Sequence, residues 1–136
     1  MSSLPMVAVV DDEESVRRAL GRLLRSAGFN VETYCSGAEF LLSLPEHRPD
    51  CLVMDLHMPD LSGFDVQVLL ERERVNVPLV VITGHDTPEG RSRVMGRGAN
   101  AYLRKPVDDT LLLAAINEAI GGAGGTPAGQ SQNTGA

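Results

Sequence analysis

The sequence predicts an α/β protein in which helices cover both faces of one open parallel sheet. Three observations support this fold class. Short aliphatic segments alternate with segments of helical periodicity along almost the whole chain, as expected for repeated βα units. The aliphatic segments are continuous, which is typical of strands that are buried on both faces. Acidic and polar residues directly follow several of these segments, at the edge where doubly wound sheets bind their ligands.

The first part of the chain is predicted to form strand, helix and strand. An aliphatic run predicts the first strand over 6–10, and helical periodicity predicts an amphipathic helix over 15–27. The apolar face of this helix contains Val16, Ala19, Leu20, Leu23, Leu24 and Ala27. Gly28 then favours the end of the helix, where a left-handed residue is common. The second strand is predicted over 30–34.

The middle of the chain continues the same alternation. Ser36 can cap a short helix that reaches Leu44. The run "CLVM" predicts a third strand over 51–54, and the third helix follows over 62–74 with its apolar residues buried to varying degrees. The fourth strand, over 78–82, is continuous and β-branched, as a doubly covered parallel strand should be.

The fourth predicted helix, over 87–97, has a weak interior. Thr87 can cap it and Pro88 suits its first turn. Gly90 and Gly96, however, each cost about 1 kcal/mol relative to alanine inside a helix. We therefore expect this helix to be weaker than the others and able to shift at low cost.

A short strand over 101–103 and a strongly periodic helix after Asp108 or Asp109 complete the pattern, which ends at Ile120. Five strands and five helices in alternation predict a flavodoxin-like (βα)5 fold with strand order 2-1-3-4-5. The predicted domain covers 1–121. Residues 122–136 are rich in Gly, Pro and Ser and are predicted to be a flexible tail or linker.

Composition excludes several classes of function. The chain has 136 residues, which is enough for one domain with a substantial core. Its formal net charge of −6 argues against unaided binding of nucleic acid. No apolar run approaches the roughly 18 residues of a membrane span, and the start lacks the pattern of an export signal. We therefore expect a cytoplasmic location and no membrane partner. Cys35 and Cys51 match no metal or redox spacing and are predicted to be small core residues.

Five residues at predicted strand ends define a candidate site. Asp11 and Asp12 follow the first strand, Asp55 the third, Thr83 the fourth and Lys105 the fifth. Because the carboxyl ends of parallel strands meet at one edge of the sheet, all five are expected to face the same crevice. The first-turn acids could instead simply complement a helix dipole, but their register with Asp55 and Lys105 favours a site.

The chemistry of this cluster points to Mg²⁺ and phosphoryl transfer. Clustered carboxylates need a proton or a cation, and hard oxygen ligands favour Mg²⁺ over zinc. Asp55, isolated from the acidic pair, can then attack a phosphoryl donor to form an acyl phosphate. Lys105, the only lysine in the chain, and Thr83 can donate to the transferred group. A cis peptide at Pro106 could aim Lys105 inward.

The motifs "VVDDEE", "VMDLHMPDLSGFD", "VVITGH" and "YLRKPV" resemble the receiver domain of two-component response regulators. The resemblance covers about 5–120 and is closest to nitrogen-fixation-type regulator receivers. It implies phosphorylation of Asp55 by a sensor histidine kinase or a phosphotransfer protein. It also implies a Mg²⁺ site. Asp12 would bind the ion directly and Asp11 largely through water, and Asp55 and the backbone carbonyl of His57 would complete the protein ligands.

The resemblance further implies a switch. Thr83 would move to the phosphoryl group and Tyr102 would turn inward, rearranging the surface of the fourth helix, fifth strand and fifth helix. His57 and His85 would flank the path of hydrolytic water and tune the phosphoryl lifetime, with a pH dependence between about pH 6 and 7. The two histidines could alternatively join the acids in binding a transition metal.

Two alternatives concern the function as a whole. A haloacid-dehalogenase-like phosphatase also uses an aspartate nucleophile, but needs a second acid where this chain has His57. A dinucleotide-binding module is rejected because the turn "DDEES" is acidic and lacks glycine. As a receiver, the chain could stand alone or be the N-terminal part of a transcription regulator, with a downstream protein target or an output domain. It could also form a phosphorylation-dependent dimer.

Overall fold

The structure, a computed structural model, describes residues 4–123 and contains all ten predicted elements. The strands are β1 (Met6–Val10), β2 (Asn30–Tyr34), β3 (Cys51–Asp55), β4 (Leu79–Thr83) and β5 (Ala101–Arg104). The helices are α1 (Glu14–Ser26), α2 (Gly37–Ser43), α3 (Gly63–Arg72), α4 (Pro88–Gly96) and α5 (Asp109–Ala123). Observed and predicted ends differ by three residues at most, which is usual because element ends depend on individual hydrogen bonds.

The strands form one sheet in the order β2-β1-β3-β4-β5, and every neighbouring pair is parallel. This confirms the flavodoxin-like order predicted from the sequence. In the register of the sheet, Val10 of β1 pairs with Met54 of β3, so the residues that follow these two, Asp11 and Asp55, leave the sheet side by side. The strand order reverses at β1, which opens a crevice beyond the carboxyl ends of β1 and β3.

Successive residues of each strand face opposite layers of helices. Val7 and Val9 of β1 belong to a buried cluster with Leu24 of α1 and Ile116 of α5. The alternate residues of the sheet belong to a second cluster with side chains of α2, α3 and α4, including Phe40, Val66 and Val94. Both faces of the sheet are thus covered, which explains why the strands are continuously aliphatic.

Polar caps begin four of the helices; at α5 the Asp108 carboxylate accepts a hydrogen bond from the Leu111 N–H at 2.9 Å. The Ser36 hydroxyl accepts a hydrogen bond from the Glu39 N–H, and the Thr87 hydroxyl accepts one from the Gly90 N–H at 2.9 Å. Ser62 and Asp65 form a reciprocal capping box at the start of α3. Each cap satisfies a backbone donor that the first turn of a helix leaves free.

One prediction about the cysteines is wrong. Cys51 is fully buried in β3, as expected, but Cys35 is exposed. The reason is that Cys35 directly follows β2, which lies at the edge of the sheet and is covered less completely than the central strands. Burial of Cys51 raises the pKa of its thiol to about 12.

The last helix ends slightly later than expected. α5 continues to Ala123, so the first two residues assigned to the tail are helical, and the rest of the predicted tail lies outside the described residues. Within the part of the chain that the structure describes, no helix is long and apolar enough to cross a membrane.

Candidate functional site

The predicted acids meet at the carboxyl edge of the sheet. Asp11 follows β1 and is fully buried, Asp55 ends β3 and is 4% exposed, and Asp12 is exposed to solvent. One carboxylate oxygen from each of the three lies within 4.8 Å of the others. Asp11 Oδ1 also accepts a hydrogen bond from the Glu13 N–H at 2.9 Å. The cluster can therefore offer a cation two nearly buried carboxylates and one that faces water.

Lys105 faces this cluster from the end of β5. Its Nζ lies 2.8 Å from Asp11 Oδ2, 3.4 Å from Asp55 Oδ2 and 3.5 Å from Glu13 Oε1. The peptide bond between Lys105 and Pro106 is cis. The side chain is 17% exposed, so the one ammonium group of the site is held among carboxylates and largely away from bulk water.

The electrostatics of the cluster are coupled. Burial raises the pKa of Asp55 to about 6, and the charge of Asp11 adds to this effect, whereas Lys105 opposes it. Burial alone would lower the pKa of Lys105, but the interactions with Asp11, Asp55 and Glu13 together raise it above its ordinary value. The site therefore carries more negative charge than Lys105 alone can balance.

The donor set suits a hard divalent cation. Among residues 4–123, Asp11, Asp12 and Asp55 form the group of metal-capable side chains that converge on one point, and all three offer oxygen. Oxygen ligands of this kind are those that Mg²⁺ prefers. Neither His57 nor His85 belongs to the group, so the structure does not support the transition-metal site that was considered for them.

The backbone around Asp55 is tightly packed. The His57 N–H donates a hydrogen bond to Asp55 Oδ1 at 3.3 Å, and the Gly63 N–H donates to the Leu56 carbonyl at 2.8 Å. A Cβ at Gly63 would lie 2.9 Å from Leu56 Cα and 3.1 Å from the Asp55 carbonyl oxygen. Sequence reasoning did not identify Gly63 as part of the site, because its close approach to Asp55 and Leu56 is seen only in the folded chain.

Thr83 ends β4 and its hydroxyl faces the loop that follows. Thr83 Oγ1 accepts a hydrogen bond from the His85 N–H at 3.0 Å and donates one to the His85 carbonyl at 3.2 Å. Thr83 is fully buried, whereas His85 is exposed. The hydroxyl is thus engaged with the backbone of the β4–α4 loop.

Tyr102 lies inside the protein, at the centre of β5. It is 5% exposed, and the guanidinium of Arg91 in α4 lies 5.4 Å from its ring centroid. Its hydroxyl is buried and, among the described residues, has no hydrogen-bond partner. Burial raises the pKa of this hydroxyl. Gly90 of α4 lies beside this hydroxyl: a Cβ added at Gly90 would be 3.7 Å from the Tyr102 oxygen.

Two histidines stand at the rim beside Asp55. The rings of His57 and His85 are exposed and their centroids are 5.5 Å apart at an interplanar angle of 78°. The other side of His57 faces Phe64 of α3, at 6.4 Å and 81°. Sequence reasoning placed Phe64 in the core and missed this contact, because the contact depends on how the loop after β3 returns over α3.

Comparison with known proteins gives a consistent result. The model of the "Response regulator receiver domain" family matches residues 7–117. The transcriptional regulatory protein FixJ of Rhizobium meliloti is 40% identical over 113 residues, which cover 83% of this chain and 55% of that protein. The transcriptional regulatory protein PrrA of Mycobacterium tuberculosis is 37% identical over 128 residues, covering 94% and 55% respectively.

A solved structure supports the same relationship. The crystal structure of FixJ-N superposes with a TM-score of 0.81 at 38% identity, covering 89% of this chain and 96% of that one. The chain spans about half the length of the curated relatives it matches. The comparisons provide no support for the phosphatase alternative.

Proposed function

The chain belongs to the response regulator receiver domain family, and from this premise we propose that Asp55 accepts a phosphoryl group from a sensor histidine kinase or a phosphotransfer protein. The observation that carries the proposal is the meeting of three carboxylates with the only lysine at one edge of the sheet. Receivers of this family generally interact with histidine kinases and are not metabolic enzymes. The enzymatic chemistry we propose is limited to self-phosphorylation and self-dephosphorylation at Asp55.

Asp55 suits the role of nucleophile better than its neighbours. Asp11 is engaged by Lys105 at 2.8 Å and by the Glu13 N–H, and Asp12 faces solvent. In the proposed step an Asp55 carboxylate oxygen forms a bond to phosphorus while the bond from phosphorus to the donor's histidine nitrogen breaks. The electron pair of that bond stays on the imidazole, which takes up a proton, and Asp55 becomes an acyl phosphate.

Mg²⁺ is the proposed cofactor. We assign direct binding to Asp12 and Asp55, binding largely through water to Asp11, and the remaining protein ligand to the backbone carbonyl of His57. The three carboxylates fit this ion because their oxygens converge within 4.8 Å and no thiolate or imidazole belongs to the group. When bound, Mg²⁺ supplies positive charge that offsets the carboxylates and the incoming phosphoryl oxygens.

Lys105 and Thr83 are the proposed donors to the transferred group. Lys105 Nζ is already 3.4 Å from Asp55 Oδ2, so it can contact a phosphoryl oxygen with a small movement. Thr83 must first release the two interactions that its hydroxyl makes with the backbone of His85. We propose that this release is the first event of the switch, because it frees the β4–α4 loop.

The proposed output surface consists of α4, β5 and α5. Tyr102, the partner of Thr83 in the proposed switch, is buried against the N-terminal end of α4, close to Gly90. Movement of the loop after Thr83 therefore reaches α4 through Tyr102. This surface is the proposed contact for a downstream protein target, for an output domain or for a second copy in a phosphorylation-dependent dimer.

The organisation of the whole protein is also a proposal. We propose a receiver over 1–121 followed by a tail or linker over 122–136. The chain spans about half the length of relatives that are named as transcriptional regulatory proteins. This partial coverage is compatible with both predicted arrangements, a stand-alone receiver and the N-terminal part of such a regulator. We expect no direct contact of this domain with nucleic acid, and the cytoplasmic location stays a prediction.

The test of this function is a titration with beryllofluoride and Mg²⁺, followed by NMR. Beryllofluoride stands in for a phosphoryl group on a carboxylate. We expect shifts at the neighbours of Asp55, at Thr83 and at Tyr102, and no such shifts in Asp55→Asn. Glu118→Gln, which removes an exposed acid of α5 far along the chain from the site, should respond like the wild type.

A second measurement separates a receiver from a phosphatase. Incubation with a small phosphoryl donor and Mg²⁺ should add one phosphoryl group per chain, detected by intact mass, and Asp55→Asn should remain unmodified. Absence of this modification in the wild type, or sustained turnover of phosphate esters, would argue against the proposed function.

A further inference from the structure

Four side chains form a continuous row of ring contacts that begins at the Asp55 site and ends on α4. His85 contacts His57, with centroids 5.5 Å apart, and His57 contacts Phe64 at 6.4 Å. The guanidinium of Arg93 then lies 4.0 Å from the Phe64 ring centroid. Both ring pairs are edge-to-face, an arrangement that aromatic rings favour.

The far end of this row is well anchored. Phe64 packs against the buried cluster between the sheet and α2, α3 and α4. The positive charge of Arg93 also acts on Asp65, whose pKa is lowered mainly by its hydrogen bonds with Ser62 and additionally by Arg93. Arg93 therefore lies over the ring face of Phe64, an interaction that favours one position of its guanidinium.

The near end of the row stands at the rim of the reaction site. The His57 N–H donates to Asp55 Oδ1, so the imidazole belongs to the residue whose own backbone contacts the carboxylate. Being exposed, the ring has no packing on its outer side. Phe64 and His85 provide its lateral contacts, and removal of either neighbour would free its rotation.

We propose that Phe64 and Arg93 are positioning residues for the lifetime of the phosphoryl group on Asp55. They hold the His57 ring against His85, where it limits the approach of water. Hydrolysis needs a water oxygen to bond to phosphorus while the bond from phosphorus to Asp55 breaks and its electron pair returns to the carboxylate. A ring fixed over this approach slows the reaction by excluding water. This inference rests on the proposed phosphorylation of Asp55.

The row also gives α4 influence over the reaction site. Arg93 is carried by α4, whereas Phe64 is carried by α3. A partner that moves α4 would separate Arg93 from Phe64 and loosen His57. A partner bound on α4 would therefore change the rate at which the phosphoryl group on Asp55 is hydrolysed.

The test measures the decay of phosphorylated chain after a small phosphoryl donor is removed, with Mg²⁺ present. Phe64→Leu keeps an apolar side chain but removes the ring, and we expect it to shorten the half-life about two- to tenfold. Arg93→Ala should shorten it about twofold or more. Arg97→Ala is the matched control: it removes the arginine that directly follows α4 and contacts Glu71 of α3 at 2.7 Å, but it does not touch the row.

A double mutant distinguishes positioning from a general loosening of the fold. If Phe64 acts through His57, Phe64→Leu should have no further effect in a His57→Ala background, because residues that act as one unit are not additive. In the unphosphorylated chain, NMR signals of the His57 ring should also move in Phe64→Leu, since they lose the ring current of Phe64, and should stay in place in Arg97→Ala.

Unchanged half-lives in Phe64→Leu and Arg93→Ala would overturn the inference and leave the proposed function intact. An equal effect of Phe64→Leu with and without His57 would overturn it as well. Failure of the wild type to acquire a phosphoryl group on Asp55 would instead remove the proposed function, and this inference with it.

Discussion

Lys105 is paired more closely with Asp11 than with Asp55: its Nζ lies 2.8 Å from Asp11 Oδ2 and 3.4 Å from Asp55 Oδ2. Asp11 is the acid with no exposed surface, so the ammonium compensates the carboxylate that water cannot reach. The proposed phosphoacceptor is thus left with weaker compensation. Burial, the main cause, and the charge of Asp11 therefore raise the pKa of Asp55 more than Lys105 lowers it.

Removal of the ammonium should destabilise the fold. We expect Lys105→Met to lower the free energy of unfolding by about 2–4 kcal/mol in the presence of a chelator, because Asp11 becomes a buried carboxylate without a cation. Urea unfolding measures the change, and addition of Mg²⁺ should stabilise the variant more than the wild type. Arg104→Met, at an exposed neighbour with a 3.9 Å ion pair to Asp86, should change stability by less than about 1 kcal/mol. Equal losses in both variants would contradict the assignment.

The raised pKa of Asp55 predicts a pH dependence of stability. Its folded pKa of about 6 lies above the ordinary 3.8, so folding disfavours the ionised form. The contribution of protonated Asp55 to the stability of the folded chain is complete below about pH 4 and is lost as the pH rises through 6. Without metal and above pH 6, the free energy of unfolding of Asp55→Asn, measured with urea, should therefore exceed that of the wild type by about 2 kcal/mol. This difference should vanish near pH 4.

The difference in unfolding free energy between wild type and Asp55→Asn should be plotted against pH, because other acids titrate in the same range in both chains. Added Mg²⁺ should reduce the difference at pH 7, because the cation offsets the charge that the substitution removes. A difference that stays constant from pH 4 to 7 would contradict the predicted burial of Asp55 as an anion.

Gly63→Ala should disturb the strand end that carries Asp55. The new Cβ would approach Leu56 Cα to 2.9 Å, and we expect a loss of about 1–3 kcal/mol in unfolding free energy together with slower phosphorylation. Gly96→Ala is a matched control, because a Cβ at Gly96 would meet nothing within 4 Å. That substitution should instead stabilise α4 by up to about 1 kcal/mol. Similar effects of the two substitutions would be inconsistent with this packing.

Tyr102→Phe should stabilise the protein. The Tyr102 hydroxyl is buried without a partner among the described residues, and such a group lowers stability until it is removed. We expect the free energy of unfolding to rise by about 1 kcal/mol, measured by chemical denaturation. A loss of stability would mean that the hydroxyl has a favourable interaction, and the switch proposed for Thr83 and Tyr102 would then have to break it.

The sequence predicted the fold and the membership of the site because both follow from local patterns. Aliphatic runs alternate with helical periodicity, and parallel strands bring the residues after them to one edge. The meeting of Asp11, Asp55 and Lys105 could therefore be predicted without any knowledge of tertiary packing, whereas the contacts of the Thr83 hydroxyl with the His85 backbone could not.

Features that depend on packing between distant elements were not predicted. The exposure of Cys35 reflects the edge position of β2, and the burial of Tyr102 reflects space left beside Gly90. The contact of Phe64 with Arg93 joins α3 to α4. No periodicity within either segment carries information about its neighbour, so these relationships appear only once the elements are assembled.

The solitary lysine gives the carboxylate cluster one reporter group. Because Lys105 is the only lysine in the chain, isotopic labelling of lysine would produce one side-chain ammonium resonance. That resonance would report on Asp11, Glu13 and Asp55, the three acids around the ammonium. The chain thus carries a built-in spectroscopic probe at its carboxylate cluster, and the probe requires no engineered residue.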